Sequence, residues 1–150
     1  MPIPFGRQQK ISIAKHKEHN SSEIVFFTFS TLISLGKYRT MGNKFFRIDD
    51  HAALESLLTD SKQKPVIVFK HSTACPISAR AYREMEKMKD QVNILVVQSA
   101  REISSELSNL TGVRHETPQV IVLRDGKAVW NASHFDVTAG DVTKALQSHS

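Results

Sequence analysis

Cysteine is almost absent from this sequence, since Cys75 is the only one among 150 residues. A single thiol excludes a disulfide within the chain and any zinc site built from several cysteines. Cys75 is therefore either a small buried side chain or a reactive thiol. One unpaired thiol is also typical of proteins in a reducing compartment, so we expect a cytoplasmic protein.

Glycine is scarce as well, with six residues spread widely along the chain. The sequence therefore has no glycine-rich loop of the kind that binds phosphate, and it does not indicate a nucleotide cofactor. Its seven histidines include no H-E-x-x-H motif, and the closely spaced His16 and His19 lie in a polar stretch without periodicity. We predict no bound metal and no tightly bound cofactor.

Positive charge is in excess only near the N-terminus. The formal net charge is +5; residues 1–40 hold six Lys/Arg and two Asp/Glu, whereas residues 41–150 hold 14 and 13. A nearly neutral domain argues against nucleic-acid binding, which needs clustered basic residues on the folded part. The early apolar segment, residues 24–35, is far shorter than the ~20 residues of a membrane span. We predict neither nucleic acid nor membrane as a partner.

The first 40 residues differ from the rest of the chain. Residues 1–23 are polar and without periodicity, which is typical of a poorly ordered segment. Residues 24–35 are rich in β-branched and aromatic side chains. They either pack on the domain as an added strand or helix, or belong to an over-extended gene start with Met41 as the natural first residue. We predict an N-terminal extension over residues 1–40 and one domain over residues 41–150.

Strand and helix patterns alternate from Lys44 onward. The predicted strands are 45–48, 66–69, 92–97, 119–123 and 128–130, and the predicted helices follow Asp49-Asp50 or span 77–89, 102–110 and 138–147. Gly112 is expected to end the third helix, and Asp125-Gly126 is typical of a hairpin turn. Parallel strands need crossover helices, whereas the final hairpin is antiparallel. The order predicts an α/β fold, a three-layer α/β/α sandwich around a central mixed sheet.

The apolar spacing also predicts which helix faces point inward. In the second helix, the expected face is marked by Ala79, Tyr82, Met85, Glu86 and Met88. In the third helix, it is marked by Ile103, Leu107 and Leu110, and in the last by Val142, Ala145 and Leu146.

Cys75 lies between a predicted buried strand and a predicted helix. Its sulfur should therefore lie at the N-terminus of that helix, at the carboxyl edge of the sheet. Unpaired N–H groups and the helix dipole stabilise a thiolate there, and such sites lower a cysteine pKa from ~8.5 to between ~3.5 and ~7.5. A turn of this kind exposes its side chain, so we favour a nucleophilic thiolate over a buried structural residue.

Residues 72–78, Ser-Thr-Ala-Cys-Pro-Ile-Ser, resemble the active-site turn of the thioredoxin superfamily, with Ser78 where dithiol members have a second cysteine. The motif is similar in particular to the monothiol bacilliredoxins, or YtxJ-type proteins, of bacteria that use bacillithiol. Thr117-Pro118, before a predicted strand, matches the position of the superfamily's cis-proline. The resemblance covers Lys44 to the C-terminus and implies a thioredoxin-like fold.

What the resemblance implies for function is a monothiol thiol–disulfide oxidoreductase with a role in general stress. It would remove bacillithiol from S-bacillithiolated proteins through a mixed disulfide on Cys75, with free bacillithiol as co-substrate. Two alternatives stay open: a glutaredoxin-like monothiol carrier of an iron–sulfur cluster, and a non-catalytic stress or interaction module. Arsenate reductase-like chemistry would usually need further cysteines.

Supporting residues follow from the same motif. Pro76 opens the helix, and Thr117 and Pro118 should lie beside the sulfur. Ser78 either donates a hydrogen bond to the thiolate or is a plain serine on an exposed helix face. The candidates for substrate contact are Thr73, Ala74, Arg80 and Arg83, the arginines through carboxylates of a small thiol. His71 and His115 are either proton relays or ordinary loop histidines.

Overall fold

The computed structural model describes residues 40–41 and 44–150. The predicted poorly ordered segment at residues 1–23 and the strand or helix at residues 24–35 lie outside the described residues. Within residues 44–150, no helix is long and apolar enough to cross a membrane.

Strands and helices alternate along the described chain. In order they are β1 (Thr40–Met41), β2 (Phe45–Arg47), α1 (His51–Ser61), β3 (Val66–His71), α2 (Pro76–Glu86), β4 (Val92–Val96), α3 (Arg101–Thr111), β5 (Gln119–Arg124), β6 (Lys127–Ser133) and α4 (Ala139–Ser148). A short 3-10 helix, His134–Asp136, connects β6 to α4.

The strands form one mixed sheet in the order β1-β2-β4-β3-β5-β6. β2, β4 and β3 are parallel to one another, whereas β5 pairs antiparallel with β3 and with β6. The predicted central mixed sheet is thus confirmed. The two-residue strand β1, which pairs antiparallel with β2, was not predicted and crosses the expected boundary between residues 40 and 41.

Each face of the sheet is covered by a helical layer. Ile67 and Phe69 of β3 belong to a core that includes residues of α2 and α4, whereas Val66 and Val68 belong to a core that includes residues of α1 and α3. Successive strand residues point to opposite faces, so a strand covered on both sides is continuously apolar. Full burial of one large side chain contributes about 1.5–3 kcal/mol. The three-layer sandwich is therefore confirmed.

Several local signals act as the sequence predicted. Asp50 caps α1 by accepting a hydrogen bond from the Ala53 N–H at 2.7 Å. Gly112 ends α3 with a φ of 69°, in the left-handed region that glycine adopts freely. Asp125 and Gly126, with φ of 52° and 73°, form the turn between β5 and β6.

The inward faces of two helices differ from the prediction. α2 ends at Glu86 rather than Lys89, and its buried residues are Ser78, Ala81 and Met85, whereas Ala79 and Glu86 are exposed. Successive residues of a helix are ~100° apart around its axis, so when the buried face is centred near Ser78, the next residue, Ala79, faces solvent.

Leu110 in α3 is 53% exposed although the apolar spacing predicted it inside. The buried stripe of α3 is centred between Ile103, Ser104 and Leu107. A polar residue, Ser104, is thus part of this face, which turns the stripe away from Leu110 in the last turn.

Candidate active site

Cys75 occupies the N-cap position of α2, directly after the loop that leaves β3. Its backbone is extended, with φ of −112° and ψ of 121°, and Pro76 begins the helix. Proline suits this first position because its ring presets φ and its missing N–H has no helical partner to lose. The thiol is partly exposed. The sulfur therefore lies at the positive end of the α2 dipole.

The environment lowers the pKa of the Cys75 thiol. The largest cause is a hydrogen bond from the backbone N–H of Ser78; the N–H of Ile77 and the hydroxyl of Ser78 act in the same direction, and partial burial opposes them. Hydrogen bonds to the charged form favour that form. These donors thus increase the thiolate fraction at neutral pH.

Ser78 is fully buried, so the interpretation of Ser78 as an exposed helix serine is wrong. Its hydroxyl oxygen accepts a hydrogen bond from the Ser72 N–H at 3.2 Å. The same hydroxyl is one of the groups that lower the pKa of the Cys75 thiol. Ser78 therefore connects the loop before Cys75 with the thiolate.

A residue that the sequence analysis missed, Gln98, holds the same loop from the other side. Its side-chain amide donates to the Ser72 hydroxyl at 2.7 Å and accepts from the Thr73 N–H at 3.4 Å. Gln98 follows β4, the parallel neighbour of β3, so its position at the carboxyl edge of the sheet was a usable signal. Thr73 and Ala74 are exposed beside Cys75.

The Thr117–Pro118 peptide bond is cis, as the resemblance implied. The register between β3 and β5 pairs Lys70 with Gln119, the residue after Pro118. The cis-proline therefore lies at the sheet edge from which the chain runs to Cys75. Pro118 is buried, and its carbonyl accepts a hydrogen bond from the His134 N–H at 2.9 Å.

Arg80 and Arg83 have different surroundings. Arg80 donates to the Phe135 carbonyl at 3.1 Å, and its guanidinium carbon lies 5.7 Å from the centre of the Phe135 ring. Arg83 is exposed and makes no hydrogen bond or ion pair within residues 44–150. Arg80 thus fixes the segment between β6 and α4, where Phe135 is 62% exposed. No sequence signal singled out Phe135.

His71 packs between two aromatic rings, with 5.4 Å between ring centres to Phe69 and 5.3 Å to Tyr82. Its Nδ1 is buried and has no hydrogen-bond partner among the described residues. Burial lowers the pKa of His71, so its neutral form is favoured. His71 is not among the groups that shift the pKa of Cys75.

A polar chain runs on the other face of β3, through the layer of α3. Lys70 is fully buried and donates to the Ser108 hydroxyl at 2.9 Å; burial lowers the pKa of Lys70 to about 8. Ser104 contacts Nδ1 of His115 at 3.0 Å, and Nε2 of His115 lies 3.4 Å from the Thr117 hydroxyl. Lys70, which interrupts the apolar run of β3, was the sequence signal for this group of polar side chains.

The pKa of His115 is lowered, mainly by burial and further by the charge of Lys70, whereas Glu116 opposes this change. His115 is therefore favoured in its neutral form, able to donate one hydrogen bond and accept another. Within residues 44–150, no three His, Cys, Asp or Glu side chains are grouped so that they could hold a metal ion.

The chain is similar to known proteins in sequence and in fold. Residues 46–142 match the family model described as monothiol bacilliredoxin BrxC, a range that includes Cys75, Ser78 and Pro118. One solved structure, described as a candidate oxidoreductase with a thioredoxin fold, is 31% identical; the match covers 67% of this chain and 92% of that one, with a TM-score of 0.62.

Thioredoxins share the fold at much lower identity. The thioredoxin of Fasciola hepatica is 16% identical over 69% of this chain and 98% of its own, with a TM-score of 0.55. A point mutant of the thioredoxin from Halobacterium salinarum is 14% identical over 71% of this chain and 90% of its own, with a TM-score of 0.56. With the family match over most of the described chain, the chain belongs to the monothiol bacilliredoxin family of thioredoxin-fold oxidoreductases.

Proposed function

We propose that this protein removes bacillithiol from S-bacillithiolated proteins through a mixed disulfide on Cys75. The observation that carries the proposal is the single thiol at the start of α2, with a buried hydroxyl, Ser78, three residues later. A thiolate stabilised at that position is a nucleophile, and the described chain offers no second thiol to resolve the adduct. An external thiol must therefore complete the cycle.

The first step is attack of the Cys75 thiolate on the bacillithiol sulfur of the mixed disulfide. A new disulfide forms between Cys75 and bacillithiol while the bond to the target protein breaks. The electron pair of that bond leaves with the target sulfur, which takes a proton from water and becomes a free thiol. No net oxidation occurs, because one disulfide replaces another.

The second step regenerates the protein. The thiolate of a free bacillithiol molecule attacks the bacillithiol sulfur bound to Cys75, which gives bacillithiol disulfide and the Cys75 thiolate. The hydrogen bonds from Ser78 and Ile77 stabilise Cys75 as the leaving group, just as they stabilise it as the nucleophile. Bacillithiol is thus a co-substrate rather than a bound cofactor.

The surroundings of Cys75 suit a protein substrate. Thr73, Ala74 and Pro76 are exposed around the sulfur, and Thr117 lies before the buried Pro118 at the same sheet edge. We assign these residues to the contact with the S-bacillithiolated segment. Such exchange belongs in the reducing cytoplasm, under conditions of oxidative stress.

The test is the intact mass of the full-length protein after incubation with bacillithiol disulfide or with glutathione disulfide. We expect one bacillithiol adduct that maps to Cys75 and is released by free bacillithiol. Little glutathione adduct should form under the same conditions. Cys75→Ser should keep the fold, measured by circular dichroism, because a serine at the N-cap is similar in size and caps well.

Two results would refute the proposal. One is a wild-type protein that forms no bacillithiol adduct, or forms one that free bacillithiol does not release. The other is a folded Cys75→Ser variant that keeps more than about a tenth of the wild-type exchange rate, since only the thiolate is a competent nucleophile here.

A further inference from the structure

A cavity of about 390 Å³ lies between the start of α3 and the segment before the cis-proline. Its lining residues are Val97, Gln98, Arg101, Ser104, Ser105 and His115. Cavities of a few hundred Å³ are of the size that takes part of a small molecule, and polar groups in them fix its orientation.

Two of the lining residues contact segments close to the Cys75 thiol. Gln98 holds Ser72 and Thr73, directly before Cys75. His115 contacts the hydroxyl of Thr117, the residue before Pro118. A small thiol whose sulfur is joined to Cys75 would therefore have this cavity beside it.

The charge of the lining is positive. The Arg101 side chain is exposed and makes no hydrogen bond or ion pair within residues 44–150. No carboxylate lines the cavity. Of the carboxylates on α3 and beside His115, Glu106 is paired with His51 at 2.7 Å, Glu116 lies 3.9 Å from His134, and Glu102 is exposed. The guanidinium is thus available to an anion from solution.

The buried Lys70 adds to this potential from behind His115. Its ammonium donates a hydrogen bond to a neutral hydroxyl, that of Ser108, and its charge acts on His115. A buried ammonium without a carboxylate partner attracts anions across a low-dielectric wall more strongly than an exposed one does. The neutral His115 and the hydroxyls of Ser104 and Ser105 supply hydrogen-bonding groups around the same space.

We propose that this cavity binds a carboxylate of the small-thiol half of the mixed disulfide, with Arg101 as the charged contact. The inference rests on the proposed function and names the part of the protein that recognises the thiol. It gives this role to Arg101 of α3 rather than to Arg80 of α2, which is already bound to the segment at Phe135. A planar guanidinium can bind a carboxylate through two parallel hydrogen bonds.

The experiment compares two modified forms of one model protein, whose single cysteine carries either bacillithiol or an uncharged hydroxyethylthio group. For Arg101→Gln we expect KM to rise about fivefold or more on the bacillithiolated form and to change less than about twofold on the hydroxyethyl form, since only the former offers a carboxylate. Arg101→Lys should retain part of the preference. Lys127→Gln, the same change of charge at the exposed start of β6, is the control and should alter neither value.

The outcomes separate the two proposals. If wild-type protein removes bacillithiol but Arg101→Gln lowers both activities equally, or neither, the cavity does not bind the carboxylate and only this inference fails. If wild-type protein removes the hydroxyethyl group and not bacillithiol, the proposed function itself fails. Alkylation of Cys75 by iodoacetamide should be unchanged in Arg101→Gln, because Arg101 is not among the groups that shift the Cys75 pKa.

Discussion

Ser72 and Ser78 are joined by a hydrogen bond of 3.2 Å, from the N–H of Ser72 to the hydroxyl of Ser78. By the resemblance to the thioredoxin superfamily, this hydroxyl stands where dithiol members have a second cysteine, and it also lowers the pKa of the Cys75 thiol. A group that would resolve a disulfide is thus replaced by one that only stabilises the thiolate and orders its loop.

Ser78→Ala should raise the pKa of Cys75 while leaving it below its ordinary value, because the backbone donors of Ser78 and Ile77 remain. The rate of iodoacetamide alkylation against pH measures this. The variant should also be less stable by about 1 kcal/mol, since the Ser72 N–H loses its acceptor. Ser56→Ala in α1, on the opposite layer, is the control. An alkylation profile identical to that of wild type would show that the hydroxyl does not act on the sulfur.

Ser78→Cys should produce a protein that forms an internal disulfide. Residues three apart at a helix start lie on the same face, and the Ser78 hydroxyl acts on the pKa of the Cys75 thiol, so a thiol at residue 78 should reach the Cys75 sulfur after small adjustment. Oxidation should lower the intact mass by two hydrogens, and a bound small thiol should be released without free bacillithiol. Persistence of the mixed disulfide in this variant would contradict the prediction.

We propose that residues 41–150 fold without the first 40 residues, because residues 45–146 supply two extensive cores within the part of the chain that the structure describes. A chain beginning at Met41 should unfold within about 3 °C of the full-length protein and keep its exchange activity. A chain beginning at Ile48 is the comparison. It lacks Phe45, which stacks on Tyr82 at 4.6 Å, and should lose about 3 kcal/mol or more. Aggregation of the Met41 chain would indicate that the preceding residues complete the domain.

The sequence predicted the parts of this structure that depend on local signals. Local signals of this kind are the continuous apolar run of β3, the helix cap at Asp50 and the helix end at Gly112. Each depends on a few neighbouring residues, so its position could be predicted from the sequence. The position of Cys75 followed from the same strand-to-helix order.

The parts that depend on distant residues were not predicted. Gln98 reaches the loop before Cys75 only because β4 lies beside β3, and Arg80 meets Phe135 across 55 residues of sequence. Leu110 was predicted to be buried because it follows the helical spacing of the apolar residues Ile103 and Leu107. The buried Ser104 shifts the inward face of α3 away from it. Pairings of this kind are set by the tertiary arrangement, which periodicity alone does not specify.

Lys70→Met should stabilise the protein at pH 7. The ammonium is fully buried without a carboxylate partner among the described residues, and burial lowers its pKa from 10.5 to about 8. This shift corresponds to a cost of about 3 kcal/mol in the charged form. Methionine has a length similar to that of lysine. The Ser108 hydroxyl keeps a hydrogen-bond partner in this variant, because it still donates to the Ser104 carbonyl at 3.0 Å.

The gain should depend on pH in a defined direction. Below about pH 8 the lysine is charged in both the folded and the unfolded chain, so the full cost is present. Between about pH 8 and 10.5 the unfolded chain binds more protons than the folded one, and wild-type stability rises with pH relative to the variant. His115 does not titrate in this window, since its pKa lies below its ordinary 6.5. Urea unfolding of both proteins at pH 7 and at about pH 10 measures the difference. A variant that is less stable than wild type at pH 7, or a difference that does not shrink at high pH, would show that Lys70 is not a buried, uncompensated charge.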